Sequence, residues 1–122
     1  YIFGKDWPTP DGTCIRDFIH ISDLAKAHLA SLKFLIKHEP QKISFNIGTG
    51  VGYSVLEVVK TFIKVNNINI PYIFRDRRPG DHYYSVANNS QALSYLEWKP
   101  SKTLEDMCRD SWNFATKKNL NF

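Results

Sequence analysis

The arginines that follow rigid turns are the side chains of this chain with the clearest chemical use. Arg16 comes after a segment with two prolines and an Asp-Gly pair, residues 8–12, which predicts a stiff turn that leaves the arginine little conformational freedom. A guanidinium is suited to phosphate because its planar fork donates two charged hydrogen bonds at once. A surface ion pair between Arg16 and Asp17 explains this segment as well, so both interpretations stay open.

A second arginine segment, Arg77-Arg78-Pro79-Gly80-Asp81, predicts a loop. Adjacent guanidinium groups repel each other, so holding them in a tight Pro-Gly turn is explained if an anion lies between them and Arg16. Asp81 would then accept hydrogen bonds from a ribose diol, as acidic residues do at dinucleotide sites. A solvated loop is the alternative.

The N-terminal run Tyr1-Ile2-Phe3-Gly4 places aromatic rings close to a glycine. Such rings offer a face to a flat base, although an aromatic residue at the end of a strand more often packs into a core. The run therefore supports a nucleotide site only in combination with the two arginine segments.

Apolar periodicity and capping residues predict three or four helices that position these segments. The predicted starts are Ser22 or Asp23, Ser54 with Glu57 completing a capping box, Asn88 or Asn89, and Thr103 with Asp106. The residues expected to be buried are Ala25, Leu29, Leu32 and Ile36 in the first helix and Leu104, Met107, Cys108, Trp112 and Ala115 in the last. The first helix ends near Lys37, and the polar tail after Lys117 is expected to fray.

Short apolar runs predict strands at residues 43–47 and 71–74 and a short extended segment at residues 83–87. These strands are few and separated by loops, so a complete doubly wound sheet is not expected. The predicted fold class is α/β, in the form of an α+β accessory domain over residues 1–122. We expect it to leave an apolar face that requires a partner.

A glycine turn, Gly48-Thr49-Gly50-Val51-Gly52, follows one of these strands and precedes a helix. A dinucleotide fingerprint requires G-x-G-x-x-G, and here Tyr53 stands where the third glycine belongs. No Gly-Lys-Ser/Thr follows, so a P-loop is not formed either. We therefore expect a structural turn and no NAD binding at these residues.

Composition excludes several other classes of protein. Hydrophobic residues make up 43% and charged residues 23%, which argues against disorder, and no apolar run approaches the roughly 20 residues of a membrane helix. The net charge of +4 is spread along the chain except at residues 75–78, which does not favour nucleic-acid binding. Two distant cysteines predict free thiols, and four scattered histidines predict no metal site. The first residues show neither the basic segment nor the long apolar stretch of a signal peptide, so we expect none. We expect a cytoplasmic protein.

Taken together, these segments resemble the UDP-glucose 4-epimerases. Residues 6–28 resemble the family stretch D-Y-x-T-x-D-G-T-x-x-R-D-Y-I-H-V-x-D-L-A-x-x-H. The resemblance continues through residues 45–55, 77–81, 96–98 and 103–110, in the family's order. It covers nearly the whole chain.

The resemblance implies a C-terminal UDP-sugar-binding domain of an extended short-chain dehydrogenase/reductase. In that family an N-terminal Rossmann half holds NAD, and a Tyr-x-x-x-Lys pair serves in oxidising the sugar C4 hydroxyl to a 4-keto sugar, which is then reduced on its other face. The reaction interconverts UDP-glucose and UDP-galactose in galactose metabolism. The implied protein is an NAD-dependent isomerase and a homodimer, and this chain lacks the half with NAD and the catalytic residues.

The resemblance also assigns roles to individual residues. Tyr1, Ile2 and Phe3 would line the uracil, Arg16 and Arg78 would grip the diphosphate, Pro79 and Gly80 would shape the loop, Asp81 would bind the uridine ribose, and Ser85 would border the sugar. Family members with Tyr at the position of Ser85 are restricted to glucose and galactose, whereas a small residue admits a 2-acetamido group. UDP-GlcNAc and UDP-GalNAc are therefore possible substrates as well.

Tyr-x-x-x-Lys spacing occurs twice, at Tyr1 with Lys5 and at Tyr95 with Lys99. A catalytic pair needs a continuous helix, and Gly4 and Pro100 disfavour one at these places. We expect no catalytic role for either pair. The alternatives are a UDP-N-acetylhexosamine 4-epimerase of the same family, a noncatalytic nucleotide-binding module and a nonenzymatic interaction domain.

Overall fold

Four helices and five two-residue strands make up the regular structure of residues 1–117, the part of the chain that the computed structural model describes. In chain order they are β1 (Ile2–Phe3), β2 (Ile15–Arg16), α1 (Ile21–Lys37), β3 (Tyr53–Ser54), α2 (Val55–Asn66), β4 (Phe74–Arg75), β5 (Tyr84–Ser85), α3 (Ser90–Leu96) and α4 (Leu104–Lys117). The predicted α/β class is confirmed. The predicted fraying of the tail after Lys117 lies outside the described residues.

The strands form two small sheets that bring distant segments together. β1 pairs in parallel with β4, so that Ile2 lies opposite Phe74. In the second sheet β2 lies between β3, which is antiparallel to it, and β5, which is parallel, so that Arg16 lies opposite both Tyr53 and Ser85. The first sheet therefore brings the N-terminus next to the strand that precedes residues 77–81, called the arginine loop below. The second sheet brings Arg16 next to Ser85.

Helix α1 begins at Ile21, and its cap is His20 rather than the predicted Ser22 or Asp23. The Nδ1 atom of His20 accepts the backbone N–H of Ser22 at 3.0 Å, which satisfies one of the free amides of the first turn. Nδ1 therefore carries no proton, and Nε2 donates to Asp110 on α4 at 3.1 Å. Histidine was missed because a ring nitrogen is an unusual acceptor at this position.

The buried face of α1 is also different from the predicted one. Asp23 and Ala27 are buried, and Phe34 packs edge-on against Phe45. The predicted stripe lies outward, with Ala25, Leu29, Leu32 and Ile36 all exposed. The helix was placed correctly, but residue type alone predicted the wrong face, because the fully buried residues of α1 are Asp23 and Ala27 and not its larger apolar ones.

The core lies between α1, α3 and the loops that flank α3. Ala27, Ala92, Leu96 and Trp98 are buried together, and Phe45 and Ile47 pack against them. The predicted strand at residues 43–47 is wrong, since this segment forms no strand. Its side chains reach the core, but within residues 1–117 no neighbouring strand offers the hydrogen-bonded ladder that defines a strand.

Helices α2 and α4 form the other packed pair. The predicted capping box of α2 is confirmed, with Ser54 and Glu57 bonded reciprocally. Phe62 meets Trp112 edge to face, with 6.1 Å between ring centroids. At the start of α4, Thr103 accepts the N–H of Asp106 at 3.2 Å, as predicted.

The remaining predictions for helices and strands are confirmed in part. The predicted Ala115 is exposed on α4. At the start of α3 the cap residue Asn89 makes no side-chain cap bond, whereas Asn88 accepts the N–H of Ser90 at 3.2 Å. The segment predicted as a strand at residues 71–74 contributes only Phe74, and the extended segment at 83–87 contains β5.

Asp23 is the fully buried carboxylate that fastens α1 to the start of α4. It accepts the amides of Ser101 and Lys102 at 2.8 and 2.9 Å and the Ser101 hydroxyl at 2.9 Å. Burial by itself raises the pKa of Asp23, but these hydrogen bonds outweigh it and hold the pKa at about 2, below the ordinary 3.8.

This low pKa predicts a loss of stability in acid. Because the folded pKa lies below the unfolded one, the contribution of Asp23 is complete above about pH 4 and is lost as the pH falls towards 2. The shift corresponds to about 2 kcal/mol of unfolding free energy. Urea denaturation of the chain and of Asp23→Asn between pH 5 and 2 measures it. The two curves should converge as the pH falls, and parallel curves would contradict the assignment.

Within residues 1–117, none of the helices combines the length and the apolar character needed to cross a membrane.

Candidate functional site

The turn of the arginine loop is formed by residues 78–81. The amide of Asp81 donates to the carbonyl of Arg78 at 3.2 Å, and Gly80 has φ +82°, a conformation that favours glycine. Pro79 fixes the preceding φ, so Pro-Gly is the residue pair that this turn requires. The turn brings the Arg78 guanidinium back onto Asp81, where Nε and Nη2 donate to the two carboxylate oxygens at 2.9 and 3.3 Å.

The N-terminal aromatics lie beside this turn because β1 pairs with β4. The Arg78 guanidinium lies over the ring of Phe3, 4.8 Å from its centroid, and Arg75 lies at the same distance over the ring of Tyr1. The side chain of Ile2 points the other way into the core and is only 2% exposed. Tyr1 is exposed and Phe3 is half-buried, each with a guanidinium over one face of its ring, whereas Ile2 could contribute only backbone.

Arg16 joins the same group from β2. Its Nη2 atom lies 3.8 Å from a carboxylate oxygen of Asp81, and its Nη1 atom donates to the carbonyl of Ile15 at 2.8 Å. The predicted alternative, an ion pair with Asp17, is not seen, because Asp17 binds a different segment. One carboxylate thus lies between two guanidinium groups, which leaves an excess of positive charge at the surface.

Arg77 does not belong to this group, although it is adjacent to Arg78. Its guanidinium lies 3.9 Å from the ring of Trp7, and its Nε atom donates to Asp6 at 2.8 Å. The hydrogen bond from Arg77 lowers the pKa of Asp6. The two neighbouring arginines therefore avoid repulsion by pairing with separate carboxylates, and only Arg78 faces Arg16.

Ser85 lies next to Arg16 across the sheet, and both line one cleft. The cleft has a volume of about 520 Å³ and is lined by Arg16, Asp17, Phe45, Asn46, Ile47, Ser85, Val86, Ala87 and Asn88. Neither Tyr83 nor Tyr84 lines it, although both rings are large and exposed. Ser85 is exposed and borders the cleft, and the aromatic side chain that shares this lining is Phe45.

Eight of the nine predicted site residues thus form a continuous row. The order in space runs from the aromatic pair through Arg78, its turn and Asp81 to Arg16, and ends at Ser85 in the cleft. The ninth, Ile2, supports the row from the core. The row is charged in the middle, aromatic at one end and polar at the other.

Asp17 is the residue near this row that sequence reasoning missed. Its carboxylate accepts the amide of Thr49 at 2.9 Å, the hydroxyl of Thr49 at 2.5 Å and the amide of Gly50 at 2.9 Å, all from the glycine turn. The turn thus binds a carboxylate of its own chain where a dinucleotide turn binds a phosphate. One sequence signal could have suggested this contact. The free amides of a glycine turn need an acceptor, and Asp17 is a carboxylate in the same chain that can serve as one.

A larger, mainly apolar cleft of about 560 Å³ lies between α1, α2 and α4 and contains none of the predicted site residues. His20, Cys108 and Asp110 are among its lining. The hydroxyl of Ser22 is 2.7 Å from Nδ1 of His20, which resembles a Ser-His-Asp arrangement. Nδ1 already accepts the backbone N–H of Ser22, so this histidine is a helix cap rather than a general base.

Neither Tyr-x-x-x-Lys pair lies on one helix. Tyr1 and Lys5 flank β1, and Tyr95 is near the end of α3 whereas Lys99 lies beyond it. The expectation that neither pair has the helical geometry of a catalytic pair is confirmed.

The curated relatives of this chain are epimerases. It is 45% identical over 115 residues to the UDP-glucose 4-epimerase of Bacillus subtilis and 47% identical over 115 residues to that of Dictyostelium discoideum. Each match covers 94% of this chain but only 34% and 33% of the two relatives. The chain thus spans about a third of the length of these relatives. No protein-family model matches it.

Solved structures of epimerases share the fold. A UDP-glucose 4-epimerase from Stenotrophomonas maltophila with bound NAD and formylated UDP-arabinopyranose is 42% identical with a TM-score of 0.91, over 97% of this chain and 35% of that one. One from Bifidobacterium longum in complex with NAD+ and UDP is 44% identical with a TM-score of 0.86, over 99% and 36%. The UDP-Glc/GlcNAc 4-epimerase of Campylobacter jejuni is 38% identical with a TM-score of 0.83, over 95% and 35%. In sequence and in fold, this chain matches the C-terminal region of the UDP-glucose 4-epimerases.

Proposed function

We propose that residues 1–122 are the UDP-sugar-binding domain of a UDP-glucose 4-epimerase, an extended short-chain dehydrogenase/reductase whose Rossmann half lies elsewhere in a longer polypeptide. That polypeptide, called the complete polypeptide below, interconverts UDP-glucose and UDP-galactose in galactose metabolism. The observation that carries the proposal is the row from Phe3 through Arg78 and Asp81 to Arg16 and Ser85. The epimerase relatives support it.

The two ends of the row fit the two ends of a UDP-sugar, and the charged middle fits its ribose and diphosphate. The uracil takes the face of Phe3 near Tyr1, the ribose hydroxyls donate to Asp81, and the diphosphate lies between Arg78 and Arg16. The sugar then enters the cleft at Ser85. Arg78 now covers one face of Phe3 and is paired with Asp81, so binding exchanges these contacts. A diphosphate offers both guanidinium groups a more highly charged partner and frees Asp81 for the ribose.

NAD is proposed to bind outside this chain. The glycine turn does not fit a dinucleotide phosphate, because Asp17 accepts the amides of Thr49 and Gly50 and places negative charge there. NAD supplies the hydride acceptor and donor of the reaction. The residues of this chain bind and orient the UDP-sugar, and the Tyr and Lys that assist the hydride step belong to the rest of the complete polypeptide.

Because NAD and the catalytic residues are proposed to lie outside this chain, we predict that the chain alone has no epimerase activity and binds no NAD. A coupled assay that converts UDP-galactose to UDP-glucose, together with a titration of NAD, measures both on the chain and on the complete polypeptide. Only the complete polypeptide should turn over substrate. Turnover by the chain above the background of a mock preparation would place catalysis here and contradict the proposal.

A second candidate is a UDP-N-acetylhexosamine 4-epimerase, and the exposed Ser85 favours it. The Campylobacter jejuni relative carries both glucose and N-acetylglucosamine in its name. A noncatalytic nucleotide-binding module would use the same arginines. It is distinguished by a complete polypeptide that binds UDP but turns over neither sugar.

We further infer that the complete polypeptide is cytoplasmic, forms a homodimer and binds neither nucleic acid nor membrane. Light scattering of the complete polypeptide tests the dimer, since its mass should be twice that of one polypeptide. A monomer would limit the proposal to a single-chain enzyme.

A further inference from the structure

Asp17 connects three segments that are distant in sequence. Its carboxylate accepts three hydrogen bonds from the glycine turn and the amide of Ala87, just past β5, at 3.3 Å. Its own amide donates to the carbonyl of Ser85 at 3.1 Å. Asp17 therefore fixes the end of β2 to both the glycine turn and the end of β5.

Close packing around Asp17 leaves this junction little freedom. A Cβ atom at Gly48 would lie 2.5 Å from a carboxylate oxygen of Asp17 and 2.6 Å from the Cβ atom of Ala87. Such distances are far below van der Waals contact, so only glycine allows the approach. The carboxylate is half-buried and borders the cleft, and both of its oxygens accept hydrogen bonds from backbone amides.

The residue before Asp17 is Arg16, whose strand is also held by the Ile15 amide, which donates to Tyr83 at 2.8 Å, and by the Cys14 carbonyl, which accepts the Val55 amide at 3.0 Å. Strands β2, β3 and β5 have two residues each, so the ladder around Arg16 is short. Asp81 lies 3.8 Å from the guanidinium, which is a long ion pair, and Arg78 competes for the same carboxylate. On its C-terminal side, the backbone of Arg16 is held by the anchor at Asp17.

We propose that Asp17 is a positioning residue of the UDP-sugar site, which holds Arg16 beside Ser85 by fastening β2 to the glycine turn and to the end of β5. The proposal rests on the proposed function, because it assumes that Arg16 binds the diphosphate. It also gives the glycine turn a function, which is to bind this carboxylate.

The test is a double-mutant cycle in the complete polypeptide with UDP as the ligand. UDP has no hexose, so changes near Ser85 do not enter the result. Asp17→Asn keeps one acceptor oxygen but replaces the other with an NH2 group, which faces amide donors and cannot accept from them. This substitution should raise the Kd for UDP about tenfold. If Asp17 acts through Arg16, adding Asp17→Asn to Arg16→Ala should raise the Kd by less than about twofold more.

Asp23→Asn is the matched control, because Asp23 is also a carboxylate that accepts two backbone amides and a hydroxyl, but it lies on α1 and binds the segment before α4. It should lower the melting temperature and leave the Kd for UDP within twofold. Thr49→Val removes one hydroxyl donor to Asp17 and should raise the Kd about threefold in a folded protein. It provides the test if Asp17→Asn does not fold.

The outcomes separate this inference from the proposed function. If Arg16→Ala weakens UDP binding but Asp17→Asn and Thr49→Val do not, Asp17 is only structural and the inference fails. If the effects of Arg16→Ala and Asp17→Asn simply add, Asp17 does not act through Arg16 and the inference also fails. If Arg16→Ala itself leaves UDP binding unchanged, the proposed function fails first.

Discussion

Replacing Arg16 or Arg78 with alanine should weaken the binding of UDP to the complete polypeptide roughly ten- to hundredfold for each arginine. The reason is that a hydrogen bond to a charged group contributes about 1.5–3 kcal/mol, and each tenfold change in affinity corresponds to about 1.4 kcal/mol. Each replacement also leaves Asp81 with one cation fewer, which adds repulsion towards the diphosphate. Calorimetric titration of UDP into each variant measures the effect.

Arg77→Ala is the matched control for this prediction. It removes the same charge from the adjacent position, but Arg77 is bound to Asp6 and Trp7 and does not face Arg16. Its effect on the Kd should stay below about threefold and should disappear in high salt. If all three variants lose affinity equally, the arginines act through general charge and the specific site is wrong. If Arg16→Ala and Arg78→Ala bind UDP like the parent, these arginines are solvated surface.

Salt should distinguish the two site arginines. The Arg16 side chain is 28% exposed and that of Arg78 is 59% exposed, so ions screen Arg78 more strongly. The Arg78 contribution to UDP binding should therefore decline more between low and high salt than the Arg16 contribution. Equal declines would mean that both groups are equally open to solvent when UDP is bound.

Ser85→Tyr should abolish conversion of UDP-GlcNAc to UDP-GalNAc in the complete polypeptide while leaving the conversion of UDP-galactose. The reason is steric: Ser85 borders the cleft that we assign to the sugar, and a tyrosine ring would fill the space of a 2-acetamido group. The serine hydroxyl could also donate to the acetamido carbonyl. Assays of both substrates on both proteins measure the change.

Tyr84→Ser controls for the neighbouring position. Tyr84 precedes Ser85 on β5 and does not line the cleft, so its replacement should leave the ratio of the two activities unchanged. If Tyr84→Ser alters the ratio and Ser85→Tyr does not, Tyr84 is the gate. An unmutated complete polypeptide that does not convert UDP-GlcNAc would end the hypothesis of an open gate.

Local signals in the sequence predicted the helices well. The pair Ser54 and Glu57 sets the start of α2, and Thr103 with Asp106 sets that of α4, because a cap involves only residues within one turn. Which face a helix buries depends on its neighbours. The outward Leu29 and Ile36 of α1 show this, since the contact with α3 uses Ala27 instead.

Strands were harder to predict because a strand exists only with a partner. Residues 43–47 have an apolar pattern but no ladder within the described chain, whereas β2 and β3 formed at residues without a strong pattern. Their pairing depends on contacts distant in sequence, among them those of Asp17. Periodicity carries no information about such contacts.

The site residues could be named from sequence, but their arrangement could not be derived from it. The turn at Pro79 and Gly80 can be predicted from the local sequence. The contact between Arg16 and Asp81 cannot, because it depends on the pairing of strands in the two sheets. The resemblance to epimerases supplied that grouping. It did not supply the role of Asp17, for which local reasoning offered only an ion pair with Arg16, whereas Asp17 binds the glycine turn.

A calorimetric titration of UDP into the complete polypeptide tests the central claim, that this chain carries a UDP-sugar site built on Arg16 and Arg78. We predict saturable binding at one site per polypeptide, competition by UDP-glucose, and loss of that binding in the Arg16→Ala, Arg78→Ala double variant, with its thermal unfolding still cooperative. A folded double variant that binds UDP as tightly as the parent would contradict the account.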